Sequence, residues 1–214
     1  MPEEALLSAP RRPRAVFAFA HGAGAGMRHA FMEAVSDRLV ERDVAVLRYE
    51  FPYMRAGRRA PDREPVLVAA VREAVEEARR RVPDVPLVAG GKSMGGRMTS
   101  RAAVGGGLPG VVGLAFFGFP LHAAGRPSTE RGLHLKDVGL PMLFLQGARD
   151  RLADLTLLEP LLEAVGPPPS VHVFADADHG FHVPKRSGRT DAEILDEACD
   201  VFARWLDGLD DAHA

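Results

Sequence analysis

The chain has 214 residues, 46% hydrophobic and 26% charged, enough for one globular domain with a substantial core. Its formal net charge of −2 and pI near 6.4 argue against nucleic acid or an anionic membrane as the main partner. The single cysteine, Cys199, excludes an internal disulfide framework, and no apolar stretch is long enough to cross a bilayer.

The opening MPEEALLSAPRRPR carries no apolar run of signal-peptide length, so a cytoplasmic location is expected. Residues 1–13 read as a flexible tail on a single domain spanning 1–214. RAVFAFA (14–20) reads as a buried strand, followed by the Gly-rich turn HGAGAG (21–26). HAFMEAVSDRLVERD (29–43) places Phe31, Val35, Leu39 and Val40 on one helical face. VAVLRYEF (44–51) is the next strand. An Arg-rich loop (52–64) then leads to a helix from Pro65 to about Arg81, where proline suits the first turn.

PLVAGG (86–91) is a strand that passes through Ser93 straight into a helix. VVGLAFFGFP (111–120) and PMLFLQG (141–147) are strands, the second followed by a helix from about Leu155 to Val165 with Asp154 as its cap. SVHVFADA (170–177) is the last strand, with His172 inside it. The last helix carries Ile194, Ala198, Val201, Phe202, Trp205 and Leu209 at helical spacing, with Cys199 among its packing residues. Apolar strands alternating with helices predict an α/β domain, its mostly parallel sheet of about six strands covered by helices on both faces.

The stretch VAGGKSMGGRM (88–98) admits two chemistries. A phosphate loop needs a glycine five residues before Gly91, and Pro86 stands there, so no Gly-rich turn is available to cradle a phosphate. A nucleophile elbow needs Gly-x-Ser-x-Gly between strand and helix, and Gly91-Lys92-Ser93-Met94-Gly95 satisfies every position. A serine hydroxyl needs a base, and the base an orienting acid. His179 follows the last strand and Asp150 follows PMLFLQGAR, which gives the order Ser, Asp, His, each past a strand end.

Asp176 and Asp178 are read as shaping the turn around His179. A metal reading of DADHGFH (176–182), which also includes His182, lacks a further matching ligand, so no metal or other cofactor is expected. An oxyanion hole takes one N–H from the residue after the serine, Met94, and one from the loop after the first buried strand, Ala23. That loop fails as a dinucleotide fingerprint, because Met27 stands where the third glycine belongs and Glu50 is the only candidate ribose acid.

With HGAGAG, GKSMGG, GARD and DADHGF in this order, the chain resembles the α/β-hydrolase superfamily along most of its length. HGAGAGMRHAFMEAVSDRLVERDVAVLRYEFPYM is more narrowly similar to small hydrolases of the testis-expressed and chromatin-complex-subunit branch, related to dienelactone hydrolase-like proteins. The resemblance implies the α/β-hydrolase fold, Ser93, Asp150 and His179 as catalytic triad, and Ala23 and Met94 as oxyanion donors. Relatives in that branch also serve as subunits of assemblies.

LHAAGRPSTERGLHLKDVG (121–139) is long enough for a loop and one helix but not for a lid domain, which predicts an open site for small acyl groups. Phe51, Pro52, Tyr53 and Met54 are expected to line the acyl pocket or, equally, to pack under the loop. Arg55, Arg58, Arg59 and Arg63 read as a solvated charged loop rather than an anion site. The expected function is hydrolysis of a carboxylic ester or related acyl bond in a small-molecule substrate. Peptidase, thioesterase and perhydrolase chemistry use the same residues. The alternative is a hydrolase-fold scaffold or binding protein with little turnover.

Overall fold

The computed structural model describes residues 4–211. In chain order it forms β1 (Ala5–Ser8), β2 (Ala15–Ala20), α1 (Ala30–Val40), β3 (Val44–Tyr49), the single turn α2 (Pro52–Arg55) and α3 (Glu64–Arg81). It continues with β4 (Leu87–Lys92), α4 (Met94–Ala103), β5 (Val111–Phe117), β6 (Met142–Gly147), α5 (Leu155–Glu163), β7 (Ser170–Phe174) and α6 (Asp191–Asp211). Seven strands form one sheet in the order β1-β3-β2-β4-β5-β6-β7, every pair parallel except β1 with β3.

The extra strand corrects the expected tail. Within it, Ala5–Ser8 pairs antiparallel with Val46–Tyr49, while residues 1–3 lie outside the described residues. A four-residue edge strand with only Ala5 fully buried leaves little hydrophobic pattern to read.

Burial on both faces explains the apolar runs. In β2, Ala15, Phe17 and Phe19 point into a core shared with α1 and α6, and Val16, Ala18 and Ala20 into one shared with α3, α4 and α5. Cys199 belongs to the first of these cores, and burial pushes its thiol up to about 12, which makes it inert packing. Asp154 caps α5 as expected, accepting the Thr156 N–H at 3.0 Å. Between β5 and β6 the chain adds one 3-10 helix, Glu130–Asp137, and no domain.

Because β2 to β7 run the same way, the chain leaves all of them on one edge of the sheet. The loops after β2, β4, β6 and β7 therefore converge there.

Candidate active site

Ser93 occupies the turn between β4 and α4 with φ 52° and ψ −119°, a conformation that costs a non-glycine residue about 1–3 kcal/mol. The glycines around it permit the turn. A Cβ on Gly91 would lie 2.6 Å from the Ala20 carbonyl oxygen and 2.7 Å from the Gly95 and Gly96 backbone; one on Gly95 would lie 2.5 Å from Ala20 O and 2.6 Å from His21 O. Every one of those neighbours is backbone, so no rotamer change relieves the clash. Gly91→Ala is expected to destabilise the fold by about 3 kcal/mol or more, which a thermal melt reads as a drop of roughly 6–12 °C.

The other two residues of the sequence-derived set meet the serine. His179 Nε2 lies 2.8 Å from Ser93 Oγ, and His179 Nδ1 lies 2.6 Å from Asp150 Oδ2. The Asp150 side chain has no exposed area, and the His179 ring is about one quarter exposed, at 26%. The carboxylate accepts two further N–H bonds: Gln146 Nε2 donates to Oδ2 at 2.6 Å and the Leu152 N–H to Oδ1 at 2.7 Å. Gln146 is itself oriented by the Phe119 N–H, which donates to its Oε1 at 2.9 Å.

The loop that delivers His179 is tied down locally. Asp178 Oδ1 accepts the N–H groups of Gly180 (2.7 Å) and His182 (3.0 Å), the turn-shaping role expected of it. His182 is exposed and pairs with Asp191, whose hydrogen bond to the imidazole raises the His182 pKa. His172 pairs with Glu197 at 2.7 Å. Among the described residues no group of three or more His, Cys, Asp or Glu side chains is placed to hold a metal ion.

A second serine–histidine contact lies deeper. Ser100 Oγ is 2.8 Å from His134 Nε2, but Ser100 is fully buried within α4 and also donates to the Arg97 carbonyl. Burial, reinforced by Arg101 and Arg97, pushes the His134 pKa down to about 4, so this ring stays neutral near pH 7. Its partner serine has no path to a substrate, and the pair knits α4 to the 130–137 segment.

Ala23 follows β2 and Met94 opens α4, so both face the same edge of the sheet as Ser93. Among the described residues no protein acceptor takes the N–H of either one. The loop carrying Ala23 rests on Phe51 and Tyr53, so for these two the packing alternative holds over the pocket one. Phe51 and Tyr53 have no exposed area, and the Tyr53 hydroxyl accepts the Gly24 N–H at 2.9 Å. Their rings pack against the buried His21, with centroids 4.9 and 6.2 Å away. Met54 is half-buried beside the space over Gly26.

His21 itself was given no role by the sequence. Its Nδ1–H donates to the Gly22 carbonyl at 2.7 Å, its Nε2 accepts the Phe51 N–H at 3.2 Å, and burial holds its pKa below the ordinary imidazole value. These aromatic residues support the 21–27 loop from beneath because two chain segments cross there. In the Arg-rich loop Arg58 pairs with Asp62.

A family model described as alpha/beta hydrolase domain matches residues 13–207. The chain belongs to that family. No curated protein matches this alpha/beta hydrolase. Among solved structures it is similar to an alpha-beta serine hydrolase homologue from Coxiella burnetii, with TM-score 0.75, 16% identity, and 94% of this chain and 90% of the other covered. It is also similar to an a/b serine hydrolase without lid from Xanthomonas campestris (TM-score 0.72, 19% identity, 94% and 88% covered). A dienelactone hydrolase from Anabaena variabilis aligns with TM-score 0.73 and 18% identity over 94% and 89% of the two chains. At these identities the likeness speaks for the fold of this alpha/beta hydrolase.

Proposed function

We propose that this protein is a serine hydrolase that cleaves a carboxylic ester or related acyl bond of a small substrate. One observation carries the reading: an unbroken hydrogen-bonded line from Ser93 Oγ through His179 to a buried Asp150, set on a strained elbow. In this reading Ser93 attacks the acyl carbon while His179 Nε2 takes its proton. Asp150 holds the ring with Nδ1 protonated and balances the imidazolium that forms. Gln146 and the Leu152 N–H keep the carboxylate aimed.

The tetrahedral oxyanion is bound by the N–H groups of Met94 and Ala23. His179 returns the proton to the leaving group, and water attacks the acyl-enzyme with the same base. Every step uses groups of this chain. A small substrate is supported by the short connection between β5 and β6, which places one 3-10 helix where a lid domain would be inserted. The resemblance seen in the sequence supports membership among the small dienelactone hydrolase-like enzymes.

Incubation with a fluorophosphonate probe, followed by peptide mass spectrometry, tests the reading. The expected adduct is on Ser93, with none on Ser100, and p-nitrophenyl acetate or butyrate is hydrolysed. A protein that neither labels nor turns over these esters is a scaffold with a hydrolase fold, and the reading fails.

A further inference from the structure

Lys92 is the residue before the nucleophile, and its side chain is not spent on the surface. Its Nζ donates a hydrogen bond to the backbone carbonyl of His179, 87 residues away in the chain. The same nitrogen stands 5.4 Å from the ring centroid of Phe31, on α1, and 5.3 Å from that of Phe181, in the His179 loop. Both separations lie within cation–π range. Gly118, at the end of β5, has φ 71°, and a Cβ there would come within 2.9 Å of Nζ and 3.4 Å of His179 Nδ1. A side chain at 118 would fill the space that the ammonium and the imidazole share.

Among the described residues no carboxylate lies within ion-pair distance of Nζ. The charged and titratable groups that face it are Asp150, after β6, and Asp178 and His179, after β7; α1 presents Phe31 and the end of β5 presents Gly118. An ammonium with a carbonyl and two aromatic faces as its partners is bound as a cation, yet unpaired.

We infer that Lys92 is a positioning residue for the base: its ammonium clamps the His179 loop onto the elbow. The inference rests on the hydrolase reading only for its kinetic consequence. The clamp spans β4, α1 and the loop after β7, three elements that no local turn holds together. Phe181 itself sits at φ 66°, so the loop depends on tertiary contacts to keep its shape.

Burial pushes the Lys92 pKa down to about 8, with Asp150 and Asp178 pulling the other way. The sign follows directly. Below pH 8 the group is charged and the clamp is closed; as pH rises through 8 the charge leaves and both the charge-assisted hydrogen bond and the ring contacts weaken.

The test compares wild type with Lys92→Gln, which keeps a donor without the charge, and Lys92→Met, which keeps neither. Proton NMR follows the low-field His179 Nδ1–H signal against pH and needs no turnover. In both variants that signal is expected to broaden, because the loop that carries the ring is no longer clamped. The broadening is greater in Lys92→Met, which also lacks the donor. On p-nitrophenyl acetate, kcat is expected to fall about tenfold with KM nearly unchanged, and the decline of wild-type kcat above pH 8 to disappear.

Folded variants with the wild-type line shape and pH profile overturn the inference. If both variants unfold, Phe31→Leu takes one ring from the ammonium, and the same broadening at smaller size supports the clamp while none overturns it. A wild type that is inert towards fluorophosphonate and ester, but whose His179 Nδ1–H signal broadens in Lys92→Gln, overturns the hydrolase reading and leaves the clamp standing.

Discussion

Ser93→Ala is expected to lower kcat on p-nitrophenyl acetate by on the order of 10⁶-fold, and Ser100→Ala to leave turnover intact. The size of the first effect follows from the group acting as a unit. Without the nucleophile, His179 and Asp150 have nothing to activate, and what survives is the roughly 10³–10⁴-fold over water that binding and oxyanion donors supply. The contrast with Ser100 follows from burial. Ser93 is partly exposed at the edge of the sheet, whereas Ser100 is sealed within α4 and its histidine carries no orienting carboxylate hydrogen bond among the described residues. The alanine at 93 also leaves the positive φ in place, so the melting temperature is expected to change by only a few degrees. Stopped ester assays and a thermal melt on the same preparations decide it. Residual serine-dependent turnover in Ser93→Ala that Ser100→Ala removes would move the site to the buried pair.

Asp150→Asn is expected to lower kcat by about 10³–10⁴-fold and to lower stability at the same time. The carboxylate is surrounded by donors: His179 Nδ1–H and Gln146 Nε2 on one oxygen, the Leu152 N–H on the other. An asparagine in either orientation aims its NH2 group at an N–H. If the NH2 faces His179, the ring is driven to the tautomer that cannot accept the serine proton. If it faces Leu152, the tautomer survives, but the imidazolium of the transition state loses its buried counter-charge. Each arrangement leaves one buried donor unsatisfied, which costs about 1–3 kcal/mol and roughly 2–10 °C in the melt. Gln146 cannot turn to help without releasing the Phe119 N–H. An Asp150→Asn enzyme with wild-type kcat would show that this carboxylate does not orient the base.

Much of the molecule is legible without the fold because it rests on local rules. The strands β2 to β6 announce themselves as apolar runs, since a parallel sheet buried on both faces has no wet side to encode. The elbow is legible because glycines at 91 and 95 answer a clash with backbone that any elbow meets. Order along the chain then selects Asp150 and His179, because each needs only to follow a strand end. Asp154 as a helix cap and Asp178 as a turn residue belong to the same class, with partners two to four residues away.

The tertiary structure alone decides the roles that depend on distant segments meeting. β1 pairs with a strand some forty residues on and has too little apolar pattern to be seen beforehand. Tyr53 reads equally as a pocket aromatic or as packing; it is buried, and its hydroxyl holds the Gly24 N–H, 29 residues away. Gln146 looks like the polar end of a strand and proves to be the support of Asp150. Lys92 looks like a variable position in a motif and reaches a carbonyl 87 residues on. Glycine spacing and strand order are properties of a neighbourhood in the chain, so the amino-acid sequence by itself determined where Ser93, Asp150 and His179 stand. What holds them in register is packing and hydrogen bonding between elements remote in sequence, and the free energy of those contacts exists only once the sheet has brought them together.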